Sequence, residues 1–101
     1  VDMLPNGALV VDDGAKAALV GRGSSLLSVG VSAVEGRFEA GDVVDIKDAS
    51  GHLFARGKAA FSCDEAALAI GRTRAELQGN RLLSSLADKP LVHRDELIVF
   101  E

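Results

Sequence analysis

Residues 29–61 constrain the fold more than any other stretch, because they alternate with a period of two and are cut by two turn signals. Val29, Val31 and Ala33 alternate with Gly30 and Ser32, and Val44 and Ile46 alternate with Asp45 and Lys47. Leu53, Ala55, Gly57, Ala59 and Phe61 fall on one face, opposite Arg56 and Lys58. Side chains on a strand point alternately to opposite sides, so the pattern predicts three antiparallel strands with one buried and one wet face. The breaks lie at residues 36–42 and 48–51, where Gly41 and Gly51 suit the positive φ of a tight reversal.

The flanks add helices. Ala8-Leu9-Val10-Val11 is an apolar run of strand length, and Asp12-Asp13-Gly14 opens a short helix through Val20. Ala15, Ala18 and Leu19 form its inward stripe, and Gly21 ends it. Ser62-Cys63-Asp64-Glu65 and Thr73-Arg74-Ala75-Glu76 both have the spacing in which a hydroxyl and a carboxylate reciprocally cap a helix start. The first box leads Ala66, Ala67, Ala69 and Ile70 to a stop at Gly71. The second runs through Leu77 toward Leu82, Leu83 and Leu86, with Gly79-Asn80 as a break. Pro90 ends the helical stretch, and Leu91-Val92 with Leu97-Ile98-Val99-Phe100 supplies closing strand. The expected class is mainly β with two or three short helices.

One hundred and one residues suit a single domain, residues 7–101, after a linker or frayed start at 1–6. The chain opens on Val1, which favours a piece of a longer protein. No apolar run approaches the roughly 20 residues of a membrane span, so no membrane partner is expected. One cysteine, Cys63, leaves no internal disulfide and fits a reducing cytoplasm. Residues 1–50 hold eight acids and four bases, net −4, whereas residues 51–101 hold seven of each, net 0. Nucleic-acid binders carry a surplus of Lys and Arg, so the balance argues against RNA or DNA as the default partner.

No stretch spells out a reaction. Gly21-Arg22-Gly23-Ser24-Ser25 has the glycines of a phosphate loop, but it follows a helix and lacks the Lys-Ser/Thr pair. A loop that turns a corner, or brings backbone close to a partner, fits better. In extended chain His93 and Asp95 share a side and Arg94 does not; a cluster fixing a strand end accounts for them without catalysis. His52 reads as solvated beside its turn, Cys63 as a small apolar filler, and Glu35, Glu39, Asp42, Asp45 and Asp48 as solvated acids. Two histidines and one cysteine have no metal-ligand spacing.

Taken together, Gly7 to Leu19, Gly23-Ser24-Ser25-Leu26-Leu27, Gly30-Val31, Val34 to Val44, Gly51 to Gly57 and Val92-His93-Arg94-Asp95-Glu96-Leu97 resemble the PUA domain, a small pseudo-barrel found in RNA-modifying enzymes. Within that family they look like the C-terminal domain of bacterial glutamate 5-kinases (gamma-glutamyl kinases). Ser28 stands where that branch often has proline, and residues 78–86 lack its usual Ile-Leu-Gly-Tyr helix ending. The resemblance implies a parent enzyme that phosphorylates glutamate with Mg-ATP, the first step of proline synthesis, in a kinase domain N-terminal to Val1. It implies no catalytic, cofactor-binding or metal-binding residue here. The domain's role would be regulatory or in assembly, with that kinase domain and neighbouring subunits as partners and RNA binding as the alternative. By the resemblance, the contact surface is the first helix, its glycine-rich loop and the last strand: Lys16, Arg22, Gly23, Ser24, Ser25 and Arg94.

Overall fold

The computed structural model describes residues 7–81, 83–87 and 89–100, apart from the side chain of Arg74. The expected linker at 1–6, and Leu82, lie outside those residues. Five strands, β1 (Gly7–Val11), β2 (Val31–Gly36), β3 (Val43–Lys47), β4 (Leu53–Ala59) and β5 (Val92–Val99), form one mixed sheet in the order β2-β1-β3-β4-β5. Three helices, α1 (Asp13–Arg22), α2 (Cys63–Ala69) and α3 (Arg74–Gln78), and 3₁₀ turns at Ser28–Gly30 and Ser84–Leu86 complete it.

The three consecutive strands expected from the alternation are present, but they do not form a simple meander. β1 inserts between β2 and β3, antiparallel to the first and parallel to the second. Only β3 and β4 pair directly, through the turn that Gly51 makes at φ 89°. Val29 belongs to the 3₁₀ turn ahead of β2 and is exposed, so the strand begins two residues later than its alternation suggests.

The core is formed by Leu9, Val11, Leu19, Leu26, Val44, Ile46, Phe54 and Phe61, with Ala66 and Ala69 from α2 and Leu91 and Val92 at the start of β5. Phe54 is fully buried although it sits out of phase with Leu53 and Ala55. The register shifts between Ile46 and Lys47, and such an irregularity lets a strand turn successive side chains inward.

Each helix starts where a side chain can satisfy its free amides. Asp12 Oδ1 accepts from Ala15 N at 2.7 Å, while Asp13 in the first turn and Arg22 in the last suit the helix dipole. Both reciprocal boxes form: Ser62 with Glu65, and Thr73 with Glu76. Thr73's backbone N–H donates to the Glu76 carboxylate, which lowers that carboxyl's pKa. α1 runs on through Gly21, and the left-handed residue that ends it is Gly23, φ 61°. α3 stops at Gln78, so Leu83 and Leu86 reach the core from the turns after it.

Candidate functional site: the seam between the first helix and the last strand

The loop after α1 closes the sheet into a pseudo-barrel. Gly23 turns the chain sharply, and Ser24 N reaches back to Ala18 O at 3.3 Å. Leu26 then bridges to Val92: Leu26 N donates to Val92 O at 2.9 Å and Leu91 N donates to Leu26 O at 2.8 Å. Beside that bridge Arg94 N donates to Ser25 Oγ at 2.9 Å across 69 residues of sequence. Backbone groups at such a junction need partners, so these contacts specify where the loop sits.

Above the seam, between α1 and the loop, lies a cleft of about 370 Å³ whose lining includes Asp12, Ala18, Arg22, Ser24, Ser25 and Leu27. Its floor depends on a close approach of backbone: a Cβ on Gly30 would lie 2.6 Å from the Ala15 Cβ, so any larger residue pushes α1 away. Arg22 stands at one end of the cleft and Asp12 at the other, so the field in it is mixed.

Of the six expected contact residues, the structure brings Arg22, Ser24 and Ser25 to the cleft, with Gly23 as the hinge of their loop. Arg94 is joined to them by its backbone, while its side chain is exposed outside the cleft lining. Neither arginine side chain makes an ion pair among the described residues. Lys16 is differently placed. Its Nζ lies 2.8 Å from Asp48 Oδ2 and 5.1 Å from the centre of the Phe54 ring, where it braces α1 against the β3–β4 turn.

Asp48 is the residue that sequence reasoning misjudged. It is buried rather than solvated: Oδ1 accepts from Ser50 N, Ser50 Oγ and His52 N at 3.0, 2.7 and 3.0 Å while Oδ2 holds Lys16. Lys16 first, then the Ser50 hydroxyl and the His52 amide, hold its carboxyl well below the ordinary 3.8, against a smaller opposing effect of burial. The Asp-x-Ser order was the available signal, since Asp side chains bond their own backbone two residues on. Asp45 is also engaged, at 2.7 Å from Arg56 Nε, and Asp42 accepts from Glu39 N at 2.8 Å. His93 and Asp95 do share a side, with Nδ1 3.6 Å from Oδ2, and both are exposed.

Among the described residues no group of three His, Cys, Asp or Glu could hold a metal ion. The cleft's donor set, one arginine and two serines facing an aspartate, does not fit Mg-ATP, so no step of phosphoryl transfer is routed through it. No helix is long and apolar enough to cross a membrane.

A five-stranded mixed sheet whose last strand is bridged by the loop after α1, with a capped helix over the seam, defines a class of small pseudo-barrel domains with a groove at one end. Within that class the chain belongs to the PUA domain family, whose profile matches residues 7–79. It is 43% identical over 97 residues to the glutamate 5-kinase of Streptomyces avermitilis, covering 96% of this chain and 25% of that one. To the glutamate 5-kinase of Streptomyces coelicolor it is 44% identical over 95 residues, covering 94% and 25%. The chain thus spans about a quarter of the length of these relatives. Among solved structures, a PUA domain from Aeropyrum pernix K1 in a tartrate complex superposes with a TM-score of 0.64 at 28% identity, over 88% of this chain and 41% of that one. An archaeal box H/ACA sRNP Nop10-Cbf5 complex contains a match with a TM-score of 0.55 at 32% identity, over 59% of this chain and 19% of that one.

Proposed function

We propose that residues 7–101 are the single PUA domain of a glutamate 5-kinase, preceded by a short linker at 1–6. In this reading the rest of the polypeptide phosphorylates glutamate with Mg-ATP in the cytoplasm. The PUA domain contacts that kinase domain or a neighbouring subunit and tunes its activity, without catalysis of its own. The observation that carries the reading is the 43% identity to a glutamate 5-kinase over 96% of this chain. The loop of Gly23, Ser24 and Ser25, flanked by Arg22 and Arg94, serves as a contact surface, and Lys16 holds α1 in position beneath it. Deleting residues 7–101 from the full enzyme tests this. Altered glutamate saturation, inhibition or assembly is the expected result, and an enzyme unchanged in all three rejects it.

A second reading, RNA binding at the same seam, is favoured by one observation: Arg22 and Arg94 flank the groove without ion-pair partners among the described residues. Binding through phosphates falls as salt rises, in proportion to the charges neutralised. Titration of a structured RNA at low and moderate salt, with an Arg22→Glu, Arg94→Glu variant as control, decides it. Affinity that depends on neither salt nor these arginines removes the reading.

A further inference from the structure

Beside the link between α2 and α3 lies a second cleft, of about 210 Å³, which shares Leu27 and Val29 with the seam cleft but none of its charges. The 3₁₀ turn Ser28–Gly30 forms one wall, the link that carries Arg72 another, and Leu86, Ala87, Lys89 and Pro90 the third. Backbone hydrogen bonds tie these walls together. Gly71 N donates to Ser28 O at 3.1 Å, and Leu91 N donates to Leu26 O at 2.8 Å. Gly71, at φ 74°, lets the link turn there. The cleft is thus built into the fold, as sites for small molecules usually are.

Its lining combines apolar walls with positive charge. Leu27 is 56% exposed and Val29 48%, and Leu77, Leu86 and Pro90 extend the apolar surface. Among the described residues the charged side chains lining it are both cations, Arg72 and Lys89, in a chain of net charge −4. Neither makes an ion pair among those residues. Arg72 Nε donates to Leu68 O at 2.7 Å, which fixes the guanidinium and leaves its other N–H groups to donate elsewhere. Lys89 Nζ stands 5.5 Å from the centre of the Phe61 ring. Glu76 feels the charge of Arg72, but its carboxylate is engaged by Thr73 N at 2.9 Å and does not line the cleft.

Ser28 adds a buried donor. It is only 6% exposed, and its carbonyl accepts from Val31 and Gly71, yet its hydroxyl has no hydrogen-bond partner among the described residues. Every side-chain polar atom shut off from solvent has a partner among those residues, so the open surface of Ser28 Oγ lies toward the cleft it lines. A nearly buried hydroxyl left unpaired is costly, and a bound acceptor removes that cost.

We propose that this cleft binds a small amphiphilic carboxylate. Arg72 and Lys89 hold the carboxylate, the Ser28 hydroxyl donates to it, and an apolar tail lies against Leu27, Val29 and Leu77. Guanidinium and ammonium groups give carboxylates the stronger, charge-assisted class of hydrogen bond. The volume falls below the roughly 300–1,000 Å³ of drug-sized sites, which limits the ligand to about five or six carbons. Inorganic phosphate supplies the charge but would set unpaired oxygens against apolar walls.

Methyl NMR of the full polypeptide, labelled at Leu and Val, tests this with sodium hexanoate as the probe. A ligand of about eight non-hydrogen atoms should bind with a Kd on the order of 1 mM, shifting the Leu27 and Val29 methyls saturably while those of Leu9 and Val44 stay in place. An Arg72→Gln, Lys89→Gln variant should weaken binding at least about tenfold, and Ser28→Ala about threefold or more. Hexanamide and inorganic phosphate are the control arms, and each should bind at least about tenfold more weakly than hexanoate. Unmoved Leu9 and Val44 methyls verify that the variants keep the fold. Shifts that do not saturate by about 50 mM hexanoate, or that either control reproduces, overturn the inference, as does a Kd unchanged in the double variant. Ser28→Ala should not lower the urea midpoint of these methyl signals; a lower midpoint assigns the hydroxyl to the fold and also overturns the proposal.

Discussion

Gly57→Ala tests how tightly β5 is seated on β4, which determines where the seam lies. A Cβ at position 57 would collide with Val92 Cγ1, lie 3.0 Å from the Glu96 carbonyl oxygen and 3.5 Å from Leu97 Cδ1. Val92 cannot step aside easily: it is fully buried, and a β-branched side chain is stiff at χ1. The carbonyl is backbone and moves only with the strand. Overpacking of this kind costs about 1–3 kcal/mol, and both obstacles place this site near the upper end. Replacing glycine also removes freedom from the unfolded chain, which returns about 0.4–1 kcal/mol. The net loss is then about 2 kcal/mol, or a fall in Tm of roughly 8–15 °C for a domain of this size. Urea unfolding followed by far-UV circular dichroism measures it, because the chain has no Trp or Tyr to report by fluorescence. Val92→Ala alone should cost about 2 kcal/mol through the cavity it leaves. Combined with Gly57→Ala it should cost at least about 1 kcal/mol less than the sum, since it removes the obstacle. A neutral Gly57→Ala, or strictly additive double-mutant energies, would refute the reasoning.

Three further outcomes follow from the same contacts. Asp48's folded pKa is depressed, so its contribution to stability is fully present above the ordinary carboxylate range and is lost as pH falls below it; Asp48→Asn should flatten the stability profile between about pH 5 and pH 2, measured by urea midpoints, and an unchanged slope counts against the Lys16–Asp48 brace. Ser62→Ala removes the hydroxyl that accepts from Glu65 N at 3.2 Å, and should destabilise the domain by about 1 kcal/mol; a midpoint unaltered by the change contradicts the cap. Gly30→Ala should push α1 away from the cleft floor, reading out as faster amide exchange over residues 15–19 while exchange in β4 stays as it was.

Local chemistry was legible in the sequence and long-range pairing was not. The turn glycines, both capping boxes and an aspartate cap from the Asp12-Asp13 pair follow from patterns spanning a few residues, and the structure has each of them, with Asp12 as the cap. The insertion of β1 between β2 and β3 leaves no trace in an alternation pattern, because periodicity reports which face is buried and not which strand lies alongside. Asp48 was hidden for a related reason: Lys16, 32 residues away, is what holds the carboxylate beneath α1. Composition points to Gly21 as the stop of α1, whereas the left-handed residue is Gly23, from which the loop runs on to the Leu26–Val92 bridge. The seam itself was accessible only through family resemblance, since Ser25 and Arg94 meet across 69 residues.

The most direct test of the account is phosphoryl transfer from ATP to glutamate, measured side by side for the full polypeptide, the polypeptide lacking residues 7–101, and this domain alone. The account predicts turnover by the first two, with different saturation or assembly, and none by the third. Turnover by the isolated domain would contradict it.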